Sequence, residues 1–329
     1  MLNLKKTIIK DWVLENKETL NNVPLFYQTF GQKLGTAPVV LVNHALTGNS
    51  NVIGKNGWWN DLIGINKTID TNIYTVLAIN IPGNGFDGKE ENLIIDYKKF
   101  TIRDVAQFFL QGVLQLKIES LFAVIGGSLG GAIAWEMCVL EPTLIQNVIP
   151  VATNWRATDW MLANVLVQDA ILNHSSSPIG DARMHAMLLY RTPESLKKKF
   201  DVKINPKNQQ FEVENWLHYH GEKLEQRFLL SAYKLMNYLL KTNDVTRGRE
   251  KYIDAVMINT NSNIHIVSID TDCFFVAKED KETYEVLRKV KKNVYHHEIK
   301  SIHGHDAFLI EYKQLNEILE NIFKVIYIK

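Results

Sequence analysis

The chain is predicted to be an α/β protein with a mostly parallel central sheet, flanking helices and an inserted helical lid. Short apolar, β-branched runs alternate with helical stretches in the first half of the chain, as is typical of parallel strands buried on both faces. Residues 154–247 then show helical periodicity without a strand signal, and strand signals return after them. One α/β domain interrupted by a lid accounts for this order.

Six segments are predicted to form the parallel sheet. These strands are expected over residues 38–43, 74–80, 121–127, 148–152, 263–269 and 294–299. Two N-terminal runs, residues 8–14 and 24–30, indicate antiparallel edge strands. Thr101 and Asp104 have the spacing of a capping box, which predicts a helix over residues 105–116.

The helical block divides the chain into three parts. Its periodicity predicts helices over residues 155–172, 181–200 and 213–240, with loops at 173–180 and 201–210. A last helix is expected over residues 315–328. The expected organisation is therefore a core in two parts, residues 1–153 and 248–329, with the lid at residues 154–247.

Composition restricts the partners and the compartment. The chain has 37 Lys and Arg against 36 Asp and Glu, so no net charge favours nucleic acid or an anionic membrane. Lys10 and Asp11 interrupt the segment where a signal peptide needs an apolar core, and no apolar run approaches the ~20 residues of a membrane span. Cys138 and Cys273 lie far apart in apolar contexts, which predicts buried free thiols and a cytoplasmic protein.

The stretch AVIGGSLGGAIAW at residues 123–135 carries the strongest chemical signal. Gly126, Ser128 and Gly130 match the pattern G-x-S-x-G between a buried strand and a helix. Small flanking residues let strand and helix approach, and the N–H of Leu129 at the helix start can face an oxyanion. This context predicts that Ser128 is a nucleophile and not part of an ordinary Gly-Ser turn.

A serine nucleophile needs a base, which in turn needs an orienting carboxylate. In the α/β-hydrolase fold that this turn indicates, both follow later in the chain, the acid first. Asp270 and Asp272 both follow the strand at residues 263–269, and His303 and His305 both precede the last helix. The residues by themselves leave both choices open.

Longer stretches resemble one family, the homoserine O-acetyltransferases and their serine and homoserine acyltransferase relatives, on the α/β-hydrolase fold. The most specific matches are His44-Ala-Leu-Thr-Gly48 and Gly304-His-Asp-Ala-Phe-Leu309. The other matching stretches follow the family's order across nearly the whole chain, at residues 57–64, 100–104, 126–131, 182–184 with Tyr190, 211–214, 221–228 and 271–272.

The resemblance implies roles for individual residues. It makes Ser128 the nucleophile, Asp272 the acid and His305 the base, so that Asp270 and His303 become supporting residues. An amino-acid acceptor carries one carboxylate and one ammonium, and a buried site must pair both charges. The resemblance implies these partners and the remaining site residues: Arg183 for the carboxylate, Asp306 for the ammonium, Thr47 and Tyr190 as pocket walls, and the N–H groups of Leu46 and Leu129 as the oxyanion hole.

The implied activity is acetyl transfer from acetyl-CoA, through acyl-Ser128, to the hydroxyl group of L-homoserine, in methionine biosynthesis. Acetyl-CoA is then a substrate, and we expect no permanently bound cofactor, no metal, no nucleic-acid or membrane partner, and a homodimer formed through the lid. The chain departs from the family in a short loop at residues 80–88, in a short lid segment at 173–180, and at Val165 and Gln168, where the family commonly has glutamate and arginine.

Three alternatives use the same residues differently. A serine-triad esterase or thioesterase would release the acyl group to water. The same transferase could use succinyl-CoA or L-serine. A non-catalytic binding module would be marked by the loss of a triad residue, and all three residues are present.

Overall fold

The computed structural model describes residues 4–324 and contains an eight-stranded, mostly parallel sheet. Its strand order is β1-β4-β8-β5-β9-β10-β11-β12, parallel from β8 to β12, with β4 antiparallel to both β1 and β8. The remaining short strands pair as β2 with β3 and β6 with β7. The bounds in chain order are β1 Lys5–Ile9, β2 Trp12–Val13, β3 Thr19–Leu20, β4 Val23–Gly31, β5 Val39–Asn43, β6 Ile63–Gly64, β7 Ile69–Asp70, β8 Thr75–Ile79, β9 Leu121–Gly127, β10 Ile145–Val151, β11 Asn263–Ile269 and β12 Val294–Ile299.

Ten α-helices are present in the described part of the chain, with 3-10 turns at Glu90–Asn92, Tyr97–Lys99 and Gly304–Leu309. No helix of residues 4–324 combines the length and the hydropathy needed to cross a membrane. The helix bounds are α1 Ile102–Gln115, α2 Leu129–Leu140, α3 Asp159–His174, α4 Pro178–Tyr190, α5 Pro193–Phe200, α6 Glu212–Glu225, α7 Leu230–Lys241, α8 Ile253–Met257, α9 Ala277–Leu287 and α10 Tyr312–Phe323.

The predicted α/β class with a mostly parallel sheet and the six predicted parallel strands are confirmed. The predicted capping box is also present, because Thr101 Oγ1 accepts from the N–H of Asp104 and the Asp104 carboxylate accepts from the N–H of Thr101. One face of the sheet packs under α1 and α2 and the other under α10, with Val124 and Ile125 of β9 on opposite faces. Both faces are buried, which explains the continuously apolar strands.

The prediction for the N-terminus was wrong in two respects. The first edge strand, β1, ends at Ile9, before most of the predicted run 8–14, and Trp12 belongs to the separate pair β2–β3. The indole of Trp12 is fully buried against Phe108 and donates to the backbone oxygen of Asp104, so this side chain draws the backbone away from the sheet edge. Strand β4 lies inside the sheet, between β1 and β8, instead of at its edge.

The three long helices predicted between residues 155 and 240 are five shorter ones, α3 to α7. Pro178 and Pro193 each occupy the first turn of a helix, where the missing N–H costs nothing, and each therefore separates two helices. The loop predicted at residues 173–180 shrinks accordingly, because α3 reaches His174 and α4 begins at Pro178. The last helix, predicted to residue 328, is described only to Phe323, and residues 325–328 lie outside the described residues.

The segment that contains helices α3 to α7 begins and ends at the same place on the core. The N–H of Ala157 donates to Asn243 O at 2.7 Å, and the N–H of Val245 donates to Trp155 O at 3.2 Å. Asn243 Nδ2 also donates to Asn154 O at 2.9 Å. The two ends of the helical segment are thereby fixed to each other beside the carboxyl end of β10.

The cysteines are both free, but only one of them is buried. Cys138 lies inside α2, whereas Cys273 is exposed, so the prediction of two buried thiols was wrong for Cys273. Cys273 follows β11 in a loop at the sheet edge, and the apolar residues beside it in the sequence, Phe274 and Phe275, are the ones that turn inward.

Candidate active site

Ser128 lies at the sharp turn between β9 and α2. Its backbone has φ 55° and ψ −123°, and a positive φ at a residue with a side chain stores strain of order 1–3 kcal/mol. The N–H of Ser128 donates to Val151 O at 2.9 Å, which fixes the turn to the neighbouring strand. The side chain is thereby held at the carboxyl edge of the sheet, as predicted for a nucleophile at a strand-to-helix turn.

Two glycines make this turn possible. A Cβ on Gly126 would overlap with the backbone of Gly130, and a Cβ on Gly130 would overlap with the backbone oxygen of Asn43. Asn43, the last residue of β5, also donates through Nδ2 to Gly130 O at 3.2 Å. The first turn of α2 is therefore packed directly against the end of β5 and the loop that follows it.

Asp272 and His305 form a buried hydrogen-bonded pair. Asp272 Oδ2 lies 2.7 Å from His305 Nδ1, and the side chains are 0% and 4% exposed. The other carboxylate oxygen of Asp272 accepts from the N–H groups of Phe274 at 2.7 Å and Phe275 at 2.9 Å. Every oxygen of this carboxylate is thus engaged, and the imidazole is held with Nδ1 toward the acid.

The competing residues Asp270 and His303 have other partners. Asp270 Oδ1 accepts from the N–H of Ser301 at 3.0 Å and so joins the ends of β11 and β12. His303 Nδ1 lies 2.9 Å from Ser195 Oγ and 3.2 Å from Arg191 Nη2. Neither side chain hydrogen-bonds to Asp272 or His305, so the geometry favours Asp272 and His305 as the acid and the base.

The ring of Phe308 lies close both to His305 and to the backbone just before Ser128. That ring lies 5.5 Å, centroid to centroid, from the His305 ring, and it would be 2.6 Å from a Cβ on Gly127, the residue before Ser128. The hydrogen bond that His305 makes within residues 4–324 goes to Asp272, and none joins it to Ser128 Oγ. Catalytic hydrogen bonds are commonly long before substrate binds and tighten in the complex with substrate.

Two backbone N–H groups near Ser128 have no acceptor within residues 4–324. They belong to Leu129, the first residue of α2, and to Leu46, in the loop after β5. His44 holds that loop from inside, because its Nδ1–H donates to Ala45 O at 2.8 Å and its Nε2 accepts from the N–H of Ile81 at 3.0 Å. Burial lowers the pKa of His44 to about 4, so it is neutral at neutral pH and acts as a structural support.

Arg183 and Tyr190 lie together on α4, above the imidazole. The guanidinium carbon of Arg183 is 5.5 Å from the Tyr190 ring centroid, and that ring is 5.3 Å from the ring of His305. No carboxylate of the described residues lies within ion-pair distance of Arg183. Burial raises the pKa of Tyr190 to about 12, so its hydroxyl stays protonated. This part of the site offers a cation near the base that forms no direct ion pair within residues 4–324.

Asp306 has a basic partner that sequence reasoning missed. Arg191 Nη1 lies 3.6 Å from Asp306 Oδ2, and Arg191 is itself held by Ser195 Oγ at 3.2 Å and by His303. Burial raises the pKa of Asp306, while Arg183, His305 and Arg191 act in the opposite direction. The only sequence signal for Arg191 was its position directly after Tyr190.

The two lid positions that depart from the family pattern line a small cavity. Its volume is about 10 Å³, close to the minimum for one water molecule. Val165 and Gln168 of α3 face Leu46, Tyr190 and Phe274 across it, and Gln168 Oε1 is buried without a partner among the described residues. The departures therefore fall on the wall beside the loop of Leu46 and leave the Asp272–His305 pair untouched.

Comparisons with known proteins agree on the fold, and the sequence relatives belong to one enzyme family. A family model described as alpha/beta hydrolase fold matches residues 38–234. The homoserine O-acetyltransferase of Symbiobacterium thermophilum is 32% identical, and the match covers 93% of this chain and 90% of that protein.

Solved structures show the same fold in two kinds of enzyme. Homoserine O-acetyltransferase from Bacillus anthracis has a TM-score of 0.85 at 20% identity, covering 98% of this chain and 97% of the other. An acetylester hydrolase from Corynebacterium glutamicum has a TM-score of 0.82 at 17% identity, covering 98% and 96%. At these sequence identities the solved structures support only the fold. Whether the acyl group is transferred to an acceptor or hydrolysed depends on the active site.

Proposed function

This chain belongs to the homoserine O-acetyltransferase family of α/β hydrolases, and we propose that it transfers acetyl from acetyl-CoA to the hydroxyl group of L-homoserine through acetyl-Ser128. The observation that carries the proposal is the contact of Tyr190 with both Arg183 and His305. This contact supports Arg183, which forms no direct ion pair within residues 4–324, as the group that binds the carboxylate of an amino-acid acceptor near the base.

In the first half-reaction His305 takes the proton from Ser128 Oγ while Oγ attacks the thioester carbonyl of acetyl-CoA. Asp272 stabilises the imidazolium that forms, without taking its proton. The oxyanion accepts from the free N–H groups of Leu46 and Leu129. The C–S bond then breaks, His305 returns the proton to the CoA thiolate, and acetyl-Ser128 remains.

In the second half-reaction L-homoserine replaces CoA. Arg183 binds its carboxylate and Asp306 its ammonium, so that each charge of the zwitterion has a partner in a site from which water is largely excluded. We propose that Thr47 and Tyr190 form the walls of the homoserine pocket. His305 removes the proton from the γ-hydroxyl, which attacks the acetyl carbonyl, and the proton then passes to Ser128 Oγ as the new ester leaves.

Transfer competes with hydrolysis, since water can attack the same acetyl-enzyme. We assign the exclusion of water to the helices of residues 154–247 as a lid. The joined ends of that segment support the assignment, as does the position of Arg183 and Tyr190 on one of its helices.

The same helices are the proposed homodimer contact. Leu166 of α3 and Leu188 of α4 are large apolar side chains that are more than half exposed. We place the protein in the cytoplasm, since both of its cysteines are free thiols and a reducing compartment keeps them so.

A CoA-release assay tests the proposed function. Acetyl-CoA and succinyl-CoA are each combined with homoserine, serine or water, and CoA is measured over time. We expect release to depend on acetyl-CoA plus homoserine, and we expect mass spectrometry to find an acetyl group on Ser128 when the acceptor is omitted. Equal release with water alone would identify a thioesterase, and faster release with succinyl-CoA or serine would reassign the donor or the acceptor.

Two variants complete this assay. Ser128→Ala should abolish both the acetyl adduct and CoA release. Ser176→Ala, in the exposed turn between α3 and α4, is the matched control and should behave like the wild type. Full transfer by Ser128→Ala would remove Ser128 from its proposed role.

A further inference from the structure

Arg227 joins the helical segment to the loop after β5. It lies just beyond the end of α6, and its Nη1 donates to the backbone oxygen of Thr47 at 3.1 Å. Thr47 directly follows Leu46, whose N–H is one of the two proposed oxyanion donors. No carboxylate of the described residues lies within ion-pair distance of Arg227, so this carbonyl is its hydrogen-bond partner.

The helix end that carries Arg227 is firmly held. Gly180 of α4 and Gly221 of α6 pack so closely that a Cβ on Gly221 would lie 2.9 Å from Gly180 O. The N–H of Arg227 continues the helical hydrogen bonding by donating to Leu224 O at 3.0 Å, and the next residue, Phe228, is buried. Because α4 also carries Arg183, the acceptor-binding side of the site and Arg227 belong to one packed helix pair.

The loop itself is held differently at its two ends. His44 fixes its beginning from inside the core. At the other end the N–H of Gly48 donates to Ala45 O at 2.8 Å, which closes a turn around Leu46. Across this turn, Arg227 of the lid donates a side-chain hydrogen bond to the loop backbone at Thr47.

We infer that Arg227 is a positioning residue that holds the N–H of Leu46 in place for the oxyanion, acting through the carbonyl of Thr47. The inference rests on the proposed function, and it adds to that function a link between the acceptor-binding helices and the oxyanion hole. Arg227 is exposed, yet partial desolvation of its guanidinium and the nearby charge of Arg183 lower its pKa. The role predicted for Arg227 concerns the rate of both half-reactions and not the affinity for homoserine.

The test compares Arg227→Met and Arg227→Lys with the control Lys223→Met, which removes an exposed cation one turn earlier on α6. Since losing one oxyanion donor costs about 100- to 1,000-fold in rate, misplacing it in Arg227→Met should lower kcat by about 10- to 100-fold. KM for homoserine should stay within about twofold, because the groups that bind homoserine are unchanged in this variant. Arg227→Lys keeps a donor and should recover part of kcat, and Lys223→Met should match the wild type.

Two further readouts separate this inference from the proposed function. Cleavage of p-nitrophenyl acetate uses the oxyanion hole without homoserine, and it should slow in Arg227→Met even if homoserine proves not to be the acceptor. Backbone amide exchange at residues 45–48 should also quicken in that variant. Should Arg227→Met be unfolded at the assay temperature, Arg227→Gln, which is too short to reach Thr47 O, takes its place.

Three results would overturn the inference. An unchanged kcat with a raised KM would make Arg227 a substrate contact. Wild-type ester cleavage and wild-type exchange at residues 45–48 would show that the loop does not need the bond. The same loss in Arg227→Lys as in Arg227→Met, with exchange unchanged in both, would show that donation to Thr47 is not what matters.

Discussion

His305 Nδ1 lies 2.7 Å from Asp272 Oδ2, while Asp272 Oδ1 accepts two backbone N–H groups from the turn that follows it. The carboxylate therefore cannot rotate without losing hydrogen bonds, and it selects the tautomer of His305 that carries the proton on Nδ1. Nε2 is then free to accept the proton of Ser128. The catalytic proposal depends on this orientation.

Asp272→Asn tests that dependence. The amide that replaces the carboxylate can donate to Nδ1, which would favour the wrong tautomer, and kcat should fall by a factor on the order of 10⁴. Asp270→Asn is the matched control, because its remaining oxygen can still accept from the N–H of Ser301. Steady-state CoA release measures both variants. A large loss in Asp270→Asn and a small one in Asp272→Asn would reverse the assignment of the acid.

Arg183→Ala should separate acceptor binding from acylation. Removing a charged hydrogen-bond partner costs about 1.5–3 kcal/mol, which is about 10- to 100-fold in KM for homoserine. Formation of acetyl-Ser128 from acetyl-CoA should keep its rate, since the donor carries no carboxylate for this residue. Arg288→Ala, an exposed arginine of the same charge, should change neither quantity. Rapid-mixing measurement of the first turnover, compared with the KM for homoserine, checks the separation.

Arg191→Gln should shift the pH dependence of kcat/KM for homoserine. The Arg191 guanidinium acts to lower the pKa of Asp306, so its removal should raise that pKa further. A carboxyl group with a higher pKa loses its charge at a higher pH, and the acid limb of the profile should move upward. Arg191→Lys keeps the charge and should move it less. An acid limb that stays in place in Arg191→Gln would mean that Asp306 does not set it.

Local signals in the sequence were sufficient for the sheet and for the serine turn. The strands β5, β8, β9, β10 and β11 follow from largely apolar runs, because burial on both faces requires them. The turn at Ser128 follows from Gly126 and Gly130, because a Cβ at either glycine would overlap with neighbouring backbone. Requirements of this kind act on a few consecutive residues and so remain visible in one sequence.

Helix lengths and the first edge strand were predicted less well. Periodicity continues across Pro193 and across the turn after Glu225, whereas the helices themselves end there. At the N-terminus, Trp12 has the side chain of a strand residue, but it packs against a helix that lies far along the chain. Burial against a distant partner outweighed local propensity in this case.

What the sequence determined by itself was the α/β class, the order of its strands and helices, and Ser128 as the candidate nucleophile. The family resemblance named Asp272 and His305, but only the tertiary structure shows that they are hydrogen-bonded, that Arg191 joins Asp306, and that Arg227 reaches Thr47. The physical reason is that each of these contacts joins residues far apart along the chain. The distances between these residues depend on the order of the strands in the sheet and on the packing of the helices. No local pattern of residues encodes either.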